Sequence, residues 1–248
     1  MKARARRWYA DPKIAEAVFA ITASGTPTSA WHDEVFARMA ARFVGFASAE
    51  EVVPVGEPLA RRRASPPILD RGPVGAMRVI KRNQDATRAV QYGPGTCAYN
   101  VYPPYGHYED HLPTFERLFE EFLAEEQPYM IGSAEQRFVN ELWLSRADRP
   151  SDLFTFYPPL GELETSHVPM RLEVETASSG DVAVTVSLAR GGEGDGVLYV
   201  LEIAARATRA LPAEVGALVE WHNRAHHACD DSFEAAITDE TRRRLRQV

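Results

Sequence analysis

Two histidines four residues apart, His222 and His226, with Cys229 about a turn further on, carry the most chemical potential in this sequence. On a helix they share a face and could hold a metal. A zinc-protease helix needs Glu directly after its first His, and here Asn223 stands in that place. Both histidines also fall on an apolar stripe. A core histidine bonded through one nitrogen to a backbone or carboxylate partner is the simpler expectation there. No metal is therefore expected at His222, His226 and Cys229. The run Gly191 to Gly196 lacks the Gly-Lys-Ser/Thr ending of a phosphate loop and lies between two strands, so it reads as a hairpin loop. No Gly-x-Ser-x-Gly elbow is present. The carboxylates are scattered, with no spacing that commits a pair to acid/base work. No catalytic residue and no cofactor fingerprint is assigned.

Arg137-Phe138-Val139-Asn140-Glu141 is the other unusual stretch. It reads as a strand, with Asn140 on the face of Phe138, Leu142 and Leu144, and Arg137, Glu141 and Trp143 on the other. Asn is disfavoured in strands, so a buried one has specific hydrogen bonds to make. Because Arg137, Asn140 and His226 each break the apolar pattern of their own elements, one polar cluster linking the first half to the C-terminal helix is expected.

These residues need elements to position them. Ile14 to Thr22 reads as a first strand. Thr28 or Ser29 can cap a helix running to Phe43, with Trp31, Val35, Phe36, Met39 and Phe43 at helical spacing. The stretch from Val53 to Pro73, with Arg61, Arg62 and Arg63, reads as a solvated loop or, in a sharper alternative, as an anion- or partner-binding lid. Met77 to Ile80, Arg88 to Tyr92 and Cys97 to Tyr102 form a meander with turns at Asn83-Gln84-Asp85 and Gly93-Pro94-Gly95. Pro113 opens a helix with Phe115, Leu118, Phe119, Phe122 and Leu123 on one face. A strand follows from Gln136 to Leu144, and a long connection runs from Ser145 to Thr165. Three antiparallel strands come next, around Val168 to Glu175, Val182 to Leu188 and Leu198 to Ala204. A helix from Pro212 to Phe233 and a short helix capped by Thr238 close the chain. The expected fold is a single α+β domain over residues 1–248, with sub-halves of about 1–145 and 166–248. Its first half is ferredoxin-like, in the order β-α-β-β-α-β. A three-stranded antiparallel meander and a long C-terminal helix continue it.

At 248 residues the chain can bury a sizeable core without disulfides, and its two cysteines, Cys97 and Cys229, are expected as reduced, buried thiols. A net charge of −7 argues against general nucleic-acid binding. No apolar run approaches the roughly 20 residues of a membrane span, and no apolar stretch follows the basic Met1 to Arg7, so a cytoplasmic protein is expected.

Four segments resemble one family of sporadically distributed, uncharacterised bacterial proteins. Pro12-Lys13-Ile14-Ala15-Glu16-Ala17-Val18 is similar to that family's opening Pro-Pro-Ile-Val-Glu-Ala-Val strand. Asn100-Val101-Tyr102-Pro103-Pro104-Tyr105 is similar to its Asn-x-x-Pro-Pro-Tyr turn, and Arg137-Phe138-Val139-Asn140 to its Arg-Tyr-x-Asn strand. His226, Phe233 and Ile237-Thr238-Asp239 match its terminus. Glu141 departs from the Arg common after the Asn. The resemblance implies a set of site candidates, Glu16, Asn100, Tyr105, Arg137, Asn140 and His226, and no particular reaction. Two functions remain open. One is a non-catalytic binding or accessory protein that recognises a protein or peptide at an open sheet edge. It would serve a bacterial gene-cluster system for defence, toxin neutralisation or peptide modification. The other is a small-molecule-binding protein or enzyme with a pocket between the sheet and the C-terminal helix. A homo-oligomer is compatible with either.

Overall fold

The computed structural model describes residues 9, 13–25, 33–46, 49–54, 77–161, 171–176 and 180–246. The Arg61–Arg63 segment, Thr28, Ser29, Trp31 and the expected strand start at Val168 lie outside them. In chain order the elements are β1 (Ile14–Ala23), α1 (Asp33–Arg42), β2 (Ala49–Pro54), β3 (Met77–Arg82), β4 (Arg88–Gly93) and β5 (Thr96–Val101). Next come α2 (Leu112–Glu126), β6 (Met130–Leu144), α3 (Pro150–Leu153), β7 (Arg171–Glu175), β8 (Val182–Glu193) and β9 (Val197–Ala207). The chain closes with β10 (Leu211–Pro212), α4 (Val215–Ala236) and α5 (Asp239–Arg244). No helix among the described residues is long and apolar enough to cross a membrane.

The strands form one antiparallel sheet in the order β2-β3-β4-β5-β1-β6-β9-β8-β7, with the short β10 also on β6. The fold is therefore α+β with a large antiparallel sheet. The β7–β9 meander is not a separate layer: β9 pairs with β6 from Glu135↔Arg206 to Leu144↔Val197, so β6 serves both expected sub-halves. Several boundaries differ from the sequence expectation, and two of them follow from strand pairing. β6 starts at Met130, because Ile131 and Ala134 pair with Ala23 and Ile21 of β1. α4 starts at Val215, because Leu211–Pro212 is held against Met130–Ile131. The first half of the glycine run is strand, and the hairpin bends only at Gly194 to Gly196. Gly196 is required there, since a Cβ would stand 2.3 Å from the Leu144 carbonyl oxygen.

α2 and α4 cover one face of the sheet. Phe115, Leu118, Phe119 and Phe122 of α2 are buried, as are Leu218, Trp221, Ala225 and Cys229 of α4. They pack on Phe19, Tyr99, Phe138 and Leu201 in the main core. Each such large side chain contributes about 1.5–3 kcal/mol by leaving water. Cys97 and Cys229 are both free and buried. The opposite face holds smaller buried groups, among them Val18, Ala20 and Ala98, and Val139, Leu198 and Val200.

Thr238 accepts a hydrogen bond from the Thr241 N–H at 3.4 Å, ahead of Asp239 and Glu240 in the first turn of α5 and Arg242 to Arg244 in the last. That order of charge suits the helix dipole.

Candidate functional site

The candidate residues divide between the two faces of the sheet. On the face away from α4, Asn100 pairs in register with Val18 and is buried. Its Nδ2 donates to Glu16 Oε1 at 2.8 Å, and its Oδ1 accepts from Gln91 Nε2 at 2.5 Å. Gln91 Oε1 has no hydrogen-bond partner among the described residues. Val18 also pairs with Arg137, which places Arg137 on the same face. Arg137 is buried, and its Nη1 lies 3.7 Å from Glu202 Oε2 on β9.

Under the helices stand Tyr105, Asn140 and His226. The Asn140 Nδ2 donates to the Leu201 carbonyl oxygen at 3.2 Å. His226 stacks on Tyr108, with ring centroids 4.0 Å apart and planes at 11°. Its Nε2 lies 3.4 Å from Asp230 Oδ2. Tyr108 donates from its hydroxyl to Asn223 Oδ1 at 3.0 Å. Tyr105 and His226 both pack on Phe138, at 5.8 and 5.9 Å between ring centroids. The Tyr105 hydroxyl is buried without a hydrogen-bond partner among the described residues. Burial, with the charge of Asp230 behind it, raises its pKa well above the ordinary tyrosine range.

Arg137, Asn140 and His226 are thus not one cluster. Successive strand side chains alternate between faces, and β6 runs without a bulge along β9 between 137 and 140. Residues three apart must then point to opposite sides. Glu16, Asn100 and Arg137 share one side, and Tyr105, Asn140 and His226 the other.

The two histidines of α4 also turn to different partners. His222 Nδ1 donates to Gln136 Oε1 at 3.3 Å, inside a cage of Phe115, Phe119 and Trp221 rings. Burial alone lowers its pKa to about 3, so the imidazole is neutral. Burial raises the Cys229 thiol far above its usual range. Among the described residues no group of three His, Cys, Asp or Glu could hold a metal ion.

His111 was missed by the sequence reading. Its Nε2 donates to the Tyr105 carbonyl at 2.6 Å and its Nδ1 faces the Tyr99 hydroxyl at 3.5 Å, which ties the turn before α2 to β5. Its place just before Pro113 was the only signal, and that pattern marks a helix start rather than a buried ring.

One more feature belongs to a candidate site. Among the described residues, β7 at the end of the sheet pairs on one side only, with β8. The Thr176 N–H bonds to the Val184 carbonyl oxygen at 2.8 Å. By strand alternation, Leu172 and Val174 also bond toward β8, and the main-chain groups of Arg171, Glu173 and Glu175 point outward. Arg171, Glu173, Val174 and Glu175 are exposed, Val174 at 44%.

Comparison with known proteins finds no family model that matches the chain and no match among curated proteins.

Proposed function

We propose that this protein is a non-catalytic binding or accessory protein, and that it recognises a protein or peptide by adding a strand to β7. The carrying observation is the outward row of main-chain groups at Arg171, Glu173 and Glu175 on a strand paired only with β8 among the described residues. An added strand takes affinity from such a row, and the flanking charges set specificity. Charged edge residues also discourage indiscriminate pairing. We read β1, α1, β4, β5, α2 and β6 as a ferredoxin-like core, since the order β4-β5-β1-β6 joins two split β-α-β units. The β2–β3 hairpin and the β7–β9 meander extend it. The four family-like segments support kinship with the bacterial family they resemble.

Glu173→Pro tests the reading, because it removes one outward N–H without touching a bond to β8. A partner recovered from the native host with the wild-type chain should be lost with this variant, while the melting temperature stays unchanged. Equal recovery with both chains would refute strand addition at β7.

A second reading is favoured by one observation. Tyr105 presents a buried hydroxyl beside Phe138 and His226, and His226 is paired with Asp230. Such a group could orient a small molecule between the sheet and α4. A metabolite that co-purifies with the wild type and not with Tyr105→Phe would support it over strand addition.

A further inference from the structure

We infer that the strand which fits β7 is β7 of a second copy of this chain, paired antiparallel about a two-fold axis through Glu173. The inference rests on the strand-addition reading and names its partner. The outward main-chain groups belong to Arg171, Glu173 and Glu175. In an antiparallel pair centred on Glu173, these three are the residues that exchange hydrogen bonds. Arg171 then faces the second copy's Glu175, Glu173 faces Glu173, and Glu175 faces Arg171. Three such pairs supply about six main-chain bonds.

Side-chain chemistry selects the same register. Arg171 meets Glu175 twice, so the strand carries its own complement of charge. Leu172 meets Val174 twice in the closer, non-hydrogen-bonded positions, where side chains touch most. That contact covers Val174, one of the few large apolar side chains exposed among the described residues. A shift that centres the pair on Val174 loses both Arg–Glu pairings. One that centres it on Leu172 sets Arg171 against Glu173, but keeps only two of the three hydrogen-bonded pairs within the strand and gives up both Leu172–Val174 contacts. The one unfavourable pair is Glu173 against Glu173. Each of these carboxylates already accepts from its own Arg171 Nη2 at 3.1 Å, which offsets the repulsion. An axis normal to the sheet keeps α4 of both copies on the same side, so the sheets join without inversion.

A five-residue contact is small, in the class of weak, transient interfaces under ~1,200 Å², so the dimer should dissociate on dilution. Sedimentation velocity across a concentration series reads this directly. Arg171→Glu alone and Glu175→Arg alone each set like charges opposite one another and should weaken the dimer about tenfold. The double variant restores the pairing and should return the dimer to wild-type strength. Register is tested by oxidation. Glu173→Cys brings its two copies to a Cα separation of about 5.5 Å and should cross-link. Arg171→Cys leaves its copies about 14 Å apart and should not. A dimer indifferent to both charge reversals, or one cross-linked through Arg171→Cys, overturns the inference. So does a monomer at every concentration. In that case Glu173→Pro separates the two readings: if it abolishes capture of another protein, strand addition stands with a foreign partner. If it does not, both fall.

Discussion

Beneath α2 and α4, three of the buried polar groups are uncharged. His222 is held neutral in its ring cage, Asn140 donates to a carbonyl oxygen, and Tyr105 keeps its proton. On the opposite face of the same strands, buried polar groups are coupled to charge. Asn100 links Gln91 to the Glu16 carboxylate, and Arg137 faces Glu202. β6 supplies both sides, with Gln136 and Asn140 facing one way and Arg137 the other. The ring cage around His222 offers it no counter-charge, so the neutral form is favoured there. The carboxylates of the helix side have polar partners: Glu126 accepts from the Gly95 N–H at 3.1 Å, and Asp230 stands beside His226. The other side keeps a route to solvent: Glu202 remains 22% exposed and Glu16 half-buried, so its charges retain some hydration. The difference teaches that buried polarity in this sheet is sorted by what covers each face rather than by residue type.

The largest effect should come from opening the aromatic side. Phe119→Ala removes a fully buried ring stacked on His222, at 5.3 Å between centroids. It should destabilise the protein by about 3–5 kcal/mol, read from urea unfolding at neutral pH. A cost below that of a surface substitution would mean that the cage does not enforce the neutral state of His222.

Acid should separate the faces next. In the folded protein His222 has a pKa of about 3, against 6.5 ordinarily. Above pH 6.5 neither the folded nor the unfolded chain protonates this ring. As the pH falls toward 3, only the unfolded chain takes up the proton, so stability drops. At about pH 4.5 the loss from this group is about 2–3 kcal/mol. Burial shifts His111 in the same direction and adds to the slope. His222→Phe should flatten the decline between neutral pH and about pH 4.5, measured by urea midpoints. In the wild type the His222 ring resonances should stay unshifted across the same range. A titration near 6.5 would break the comparison.

The opposite face is probed at Asn100. Asn100→Leu removes two hydrogen bonds at once and strands the Gln91 amide and the Glu16 carboxylate. A loss of about 2 kcal/mol is expected, since a buried group left without its partner costs about 1–3 kcal/mol. Calorimetric melting checks it.

What the sequence disclosed about these faces depended on how local the cause was. α2 and α5 were legible because helical spacing, Pro113, the Thr238 cap and the charge order all act within a few residues. Asn140 and Arg137 stood out as polar residues in an apolar strand. Their partners, Leu201 and Glu202, lie on β9 about sixty residues on, and no local pattern names them. Trp221 lies off the stripe that carries His222 and His226, and it is buried because α4 packs on the sheet and on α2 together, which widens its buried arc beyond one row. The alternation of Leu172 and Val174 with Arg171, Glu173 and Glu175 was plain. That β7 ends the sheet among the described residues is a matter of strand order, which a single strand's pattern cannot carry.

The smallest effect should come from Asn140→Leu, and its size relative to Asn100→Leu is the sharpest test of the two faces. The Asn140 side chain donates from Nδ2 to the Leu201 carbonyl oxygen, and its surroundings are the apolar residues Phe138 and Leu142. Leucine has nearly the same volume and suits that setting, so part of the lost hydrogen bond is recovered as apolar burial. The carbonyl it leaves lies in the β6–β9 ladder, where main-chain pairing continues on either side. A net loss of about 1 kcal/mol follows, or roughly 2–4 °C in melting temperature for a chain of this size. Asn100→Leu has no such compensation, because it leaves a carboxylate and an amide facing each other across a leucine. The expected order is therefore Asn100→Leu below Asn140→Leu in melting temperature. If Asn140→Leu proved the more damaging, the helix side would be the one that depends on its polar bonds, and the sorting of neutral and charged groups between the faces would need another cause.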